Sequence, residues 1–165
     1  MTNDAKTNCY TSIYQELKDN PEISNLTYPE ERKNFDFSCM VGPVAVTFGL
    51  RYEQDQCMIR GMFTCEDKTH DNINDFLSEL TKGEDNITGF GSPGTGVLSM
   101  SILLQGLSDE KATEKLIEFT RKYFHFLIDN KPVIEDFLAA APRPKKTAAP
   151  KKEAANTESL LGNAL

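Results

Sequence analysis

Residues 89–96 read GFGSPGTG, and their spacing permits phosphate chemistry. Gly89, Gly91 and Gly94 satisfy G-x-G-x-x-G, the turn that lets a backbone approach a dinucleotide pyrophosphate. Gly91 and Gly96 are spaced as in the P-loop. There a lysine and a hydroxyl residue come after the last glycine to meet the phosphates and the magnesium ion. Here those positions hold Val97 and Leu98, so both groups are missing. Both motifs also require a helix directly after the loop, because its N-terminal N–H groups and dipole hold the phosphates. The next residues, VLSMSILLQ (97–105), instead alternate as a strand does, with Leu98, Met100, Ile102 and Leu104 on one face. Pro93 presets φ and Gly94 accepts a positive φ, the residue types of a type II turn. The stretch is therefore expected to be a hairpin. The alternative is a nucleotide- or small-ligand-binding regulator built on the 89–96 loop, which would need acidic groups or histidine converging there.

The other groups capable of chemistry are sparse. Cys9, Cys39, Cys57 and Cys65 contain no C-x-x-C pair, and His70 and His125 are far apart. Zinc sites usually draw on close ligand pairs, so the cysteines are expected to pack as small apolar residues. No catalytic residue, metal site or cofactor is expected, and the chain is expected not to be an enzyme.

Elements that could position a site can be read from periodicity. Tyr10, Ile13, Tyr14 and Leu17 lie on one helical face of residues 5–19, and Pro21 ends that helix. NLTYPEERKN (25–34) reads as a polar connection. FDFSCMV (35–41), VAVTFGLRY (44–52) and CMIRGMF (57–63) read as an antiparallel meander, the middle strand alternating cleanly. Thr69 caps a helix carrying Ile73, Phe76, Leu77 and Leu80, and Gly83 suits a left-handed position beyond its end. Ser108 caps the strongest helix, 108–129, whose apolar residues cover more than the stripe a single packing face needs. A second helix or a partner chain must take the excess. NKPVIEDFLAA (130–140) resumes with Pro132 near a first-turn position.

With 165 residues, the chain is expected to form one α+β domain over residues 1–141, in the order α-β-β-β-α-β-β-α. Helices pack on a curved antiparallel sheet. PRPKKTAAPKKEAANTE, from Pro142 onward, has no apolar period and reads as a disordered tail over 142–165, ending in SLLGNAL. The net charge of −7 is uneven. Five basic and two acidic residues lie from Arg143 onward, so residues 1–142 carry 13 basic and 23 acidic side chains, a net of −10. A body that acidic repels phosphate backbones, which argues against nucleic acid as its partner. No apolar run reaches the roughly 18–20 residues of a membrane span. The polar start MTNDAKTNCYTS has no secretory pattern, so a cytoplasmic location is expected. The tail offers a further reading, an adaptor whose basic residues touch nucleic acid, an anionic membrane or a basic-motif receptor through weak, salt-sensitive attachment.

The order of elements, the pI near 4.9, the small size and the lack of catalytic motifs resemble the class I type III secretion chaperones. They are similar also to the related YbjN-type family, described as sensory transduction regulators. The segments that carry the resemblance are VAVTFGLRY with CMIRGMF, DNINDFLSEL (71–80), the glycine hairpin into VLSMSILLQGLS, and the final helix through KPVIEDFL. Together they span roughly residues 5–140. Asn72 and Asn74 agree with the asparagine-rich opening of the YbjN middle helix; the basic tail is outside the pattern. The resemblance implies a non-catalytic homodimer that binds a segment of another protein. Candidate contacts are Phe119, Tyr123, Phe126, Leu103, Ile134 and Phe137, together with the outer faces of the strands.

Overall fold

The computed structural model describes residues 1–27, 35–51 and 54–141. The tail, residues 28–34 of the 25–34 connection and residue 52 of the expected strand 44–52 lie outside them. Nine elements succeed one another: α1 (Asn3–Lys18), β1 (Ile23–Thr27), β2 (Phe35–Val41), β3 (Val44–Leu50), β4 (Gln56–Thr64), α2 (His70–Leu80), β5 (Thr88–Ser92), β6 (Thr95–Leu103) and α3 (Asp109–Ala139). The strands form one antiparallel sheet in the order β1-β2-β3-β4-β6-β5, so the expected α+β architecture is present.

The helices start where side-chain acceptors stand ready. Thr69 Oγ1 accepts from the Asn72 N–H at 3.3 Å, and Ser108 Oγ from the Lys111 N–H at 3.4 Å. Each satisfies one of the N–H groups a helix start leaves orphaned. Gly83, at φ +85°, takes the left-handed conformation just past α2.

Two elements differ from the sequence expectation. Residues 23–27 form a sixth strand, β1, pairing with β2 through an irregular register that shifts between Ser24 and Thr27. Its burial shows no alternation, so it carries no period-two signal to read. Pro132 does not begin a new helix but lies inside α3, which runs on for 31 residues. Proline there lacks the N–H that would reach the Ile128 carbonyl. The helix continues because tertiary packing holds its far side: Ile134 is fully buried, and the Phe137 ring stacks on Phe76 at 4.0 Å.

All three helices lie on one side of the sheet. The inward residues of β2, β3 and β4, among them Phe37, Val46, Phe48, Ile59 and Phe63, are buried against them. α1 covers β1 and β2, α3 covers β2 and β4, and α2 covers β5 and β6. The second burial surface that α3 demands is α1, which packs along it. Phe124, Ile13 and Leu17 line one small cavity there, and beside it Arg121 grips Glu16 with bonds of 2.8 and 2.9 Å. An exposed pair of this kind contributes under about 1 kcal/mol, so apolar burial decides the contact.

Candidate protein-binding surface

The 89–96 stretch is a hairpin between β5 and β6, with Ser92 opposite Thr95. Gly94 has φ +75°, as the third residue of a type II turn requires. The remaining glycines are set by close approach. A Cβ on Gly89 would lie 2.9 Å from Leu77 Cβ, and one on Gly91 would lie 2.7 Å from Ile73 Cγ2, so both let α2 sit directly on β5. The Asn74 carboxamide oxygen then accepts from the Gly91 N–H at 2.8 Å, pinning strand to helix. Gly96 lies under the Phe63 ring. The loop leads into strand β6, and the backbone around it is engaged with α2.

Among the described residues, the other side of the sheet carries no helix. Because directly opposed residues in an antiparallel ladder share a face, the register shows what that side presents. Met40 pairs with Ala45, Ala45 with Met62, Met62 with Val97, and Val97 with Phe90. One continuous apolar row thus crosses five strands, from β2 to β5. Met62 is 44% exposed and Phe90 47%. The next row is polar: Ser38, Thr47, Arg60, Ser99 and Thr88 are joined by the same pairings. Beyond it Met58, 39% exposed, stands opposite Gly49 and Ser101. A shallow groove lies here, lined by Asp36, Ser38, Thr47, Met58 and Arg60. An apolar stripe flanked by hydroxyls and a guanidinium, with little acidic charge, is chemistry for holding a polypeptide segment.

The six candidate contacts read from the sequence do not assemble into one site. Phe119, Tyr123, Phe126 and Ile134 are buried in the core of this chain. Tyr123 donates its hydroxyl proton to the Leu98 carbonyl at 2.8 Å, and burial pushes its phenol pKa up. Phe137 is half-buried against Phe76. Leu103 is 65% exposed, at the end of β6. Sequence reading named the outer strand faces in general but not the row Met40, Ala45, Met62, Val97 and Phe90. Each strand presents only one of these residues, and the pairing register alone lines them up.

All four cysteines are buried and free. Burial raises the Cys9 thiol to about 11 and Cys39 to about 12, and holds Cys57 well above the usual range. Cys65 is raised for the same reason. Thiols kept protonated are poor nucleophiles and poor metal ligands. These acids have folded pKa values above their unfolded ones. Their contribution is therefore complete below the ordinary thiol range near about 8.5 and is lost as pH rises through it toward the folded values. Urea midpoints measured from pH 7 to 10 are expected to fall above pH 9 or so, each thiol that ionises only when unfolded adding about 1.4 kcal/mol per pH unit. A flat profile, or rapid reaction of the native protein with a thiol reagent, would contradict this.

No protein-family model matches the chain, and no curated protein matches it. Among solved structures, YbjN from E. coli, described as a candidate transcription regulator, aligns at 9% identity. The alignment covers 78% of this chain and 93% of that one, with a TM-score of 0.46. This neighbour bears the name of one of the two families that the sequence resembles. At that score the likeness carries no argument, and the architecture rests on this chain's own strand order and register. Among the described residues, no helix is long and apolar enough to cross a membrane.

Proposed function

We propose that this chain is a non-catalytic protein-binding module that holds a segment of a partner protein on the open face of its sheet and works as a homodimer. The observation that carries the reading is the apolar row from Met40 to Phe90, over which no helix packs among the described residues. Most apolar residues of α3 up to Ile134 pack within the chain, so among the described residues the open face is the broadest strand surface left for a client or a second copy. The sequence resemblance names two uses for such a module, chaperoning a secretion client and regulating sensory transduction.

The test is a double variant, Met62→Lys with Phe90→Lys, in the full chain. Both side chains are exposed, so stability should stay within about 0.5 kcal/mol of wild type. Affinity capture from the native lysate and light scattering are then compared for the two proteins. The expected result is that the variant melts normally, yet loses the retained partner or the dimer. Equal capture and equal mass for both proteins would remove the open face from the reading. A wild-type monomer that retains no protein would end it.

A further inference from the structure

A second surface lies on the helical side of the sheet and has a different chemistry. Between α2 and the last turns of α3 runs a groove of about 540 Å³, floored by the stacked Phe76 and Phe137 rings and by Val133, which is 48% exposed. Its rim carries three carboxylates, Asp75, Glu79 and Asp136, all exposed. Among the described residues the one cation lining it, Lys68, is buried and engaged. Its ammonium donates to Asp67 Oδ2 at 2.9 Å and to the Ala140 carbonyl, and lies 5.5 Å from the Phe137 ring centre. The Asn72 Nδ2 group, which also lines the groove, is buried and has no hydrogen-bond acceptor among the described residues. An unmet buried donor is costly and points to an acceptor supplied from elsewhere.

We propose that the chain's own basic segment, residues 142–152, docks in this groove. Ala141, the last described residue, is itself part of the groove wall, and the bond from Lys68 to Ala140 fixes where the chain leaves α3. The next eleven residues, PRPKKTAAPKK, carry five positive charges and no negative one, opposite in sign to the rim. Arg143, Lys145 and Lys146 come within five residues of Ala141 and so reach Asp136, Asp75 and Glu79 first. A backbone carbonyl of the docked segment supplies the acceptor that Asn72 Nδ2 lacks. Exposed ion pairs are individually weak. A tethered segment, however, meets its site at an effective concentration on the order of millimolar, where several weak pairs suffice. Docking therefore masks both the acidic groove and the basic segment until salt or a competing polyanion separates them.

The test places a nitroxide on the full chain through Ala148→Cys, since the four native thiols are buried, and reads amide signal loss by NMR. At low salt, amides of residues 72–79 and 133–141 should lose most of their intensity while those of β1 keep theirs. The loss should disappear in 1 M salt, where screening acts within about 3 Å. It should disappear also in Asp75→Lys/Glu79→Lys/Asp136→Lys and, independently, in Arg143→Glu/Lys145→Glu/Lys146→Glu. Loss spread evenly over the surface, or unchanged by both reversals, would overturn the proposal. So would loss seen only when labelled chains are mixed with separate isotope-bearing chains, which assigns the groove to a second copy's segment. None of these readouts involves a partner protein or the open face, so failure here leaves the proposed function standing, and the reverse also holds.

Discussion

Gly96→Ala is expected to destabilise the protein by about 3 kcal/mol, the upper end of the usual cost of overpacking a core. The physical reason is local. Gly96 in β6 is the direct cross-strand partner of Phe63 in β4, and the Phe63 ring folds over it. A methyl group at 96 would stand 2.5 Å from Cε2 of that ring and 2.7 Å from Cε1, with Cζ closer still. The ring has nowhere to retreat. It is 2% exposed and held edge-on by Phe76 and Phe137, with centroids 6.3 and 6.4 Å away. Either the ring leaves its rotamer or β4 and β6 part at this pair. With the usual slope of about 1–3 kcal/mol per molar urea, the midpoint should fall by roughly 1 M or more. Shrinking the ring tests the cause: Phe63→Leu combined with Gly96→Ala should recover part of the loss. A neutral Gly96→Ala would show that the ring yields freely, and would remove the steric account of this glycine.

Phe48→Ala should cost more, about 4 kcal/mol, within the range for deleting a buried phenylalanine. Phe48 is 2% exposed in the middle of β3. Its ring lies parallel to that of Phe37 at 4.6 Å and 6.3 Å from Tyr10 on α1. Phe37 in turn touches Phe124 of α3, with centroids 6.4 Å apart, so this residue joins the sheet to both covering helices. Removing it leaves a void bounded by several rigid rings, which cannot collapse into the space as aliphatic chains do. That rigidity is what raises the cavity part of the cost. Against a typical domain stability of about 5–15 kcal/mol, the variant should lose roughly 10 °C or more in Tm by calorimetry. Phe48→Leu should lose far less. A drop of only a few degrees for the alanine variant would mean that the aromatic cluster repacks, and that the two helices are held to the sheet by other contacts.

Much of the fold was legible because the signals are local. Alternation at Val44, Val46, Phe48 and Leu50 marks β3 whatever it pairs with, and Thr69 and Ser108 announce helix starts through their own side chains. The strand after Gly96 was enough to identify the hairpin at 89–96. The candidate site was much less legible. Four of the six residues expected at an interface are large apolar groups on α3 that prove to be buried, and periodicity cannot tell whether such a residue meets α1 or another molecule. The structure spends them within the chain.

The sequence by itself determined the helices and strands other than β1, which side of those strands is apolar, and how unevenly charge is divided between body and tail. These depend on residues within a few positions of one another. Tertiary structure alone decided three further matters. Pairing with β2 turns the largely polar residues 23–27 into a strand. Burial of Ile134 and stacking of Phe137 on Phe76 carry α3 through Pro132. The register of five strands aligns Met40, Ala45, Met62, Val97 and Phe90 into one row. A shift of one residue in any of those pairings would turn that strand's side chains to the opposite face. The row is therefore a property of the assembled sheet, and no single segment contains it.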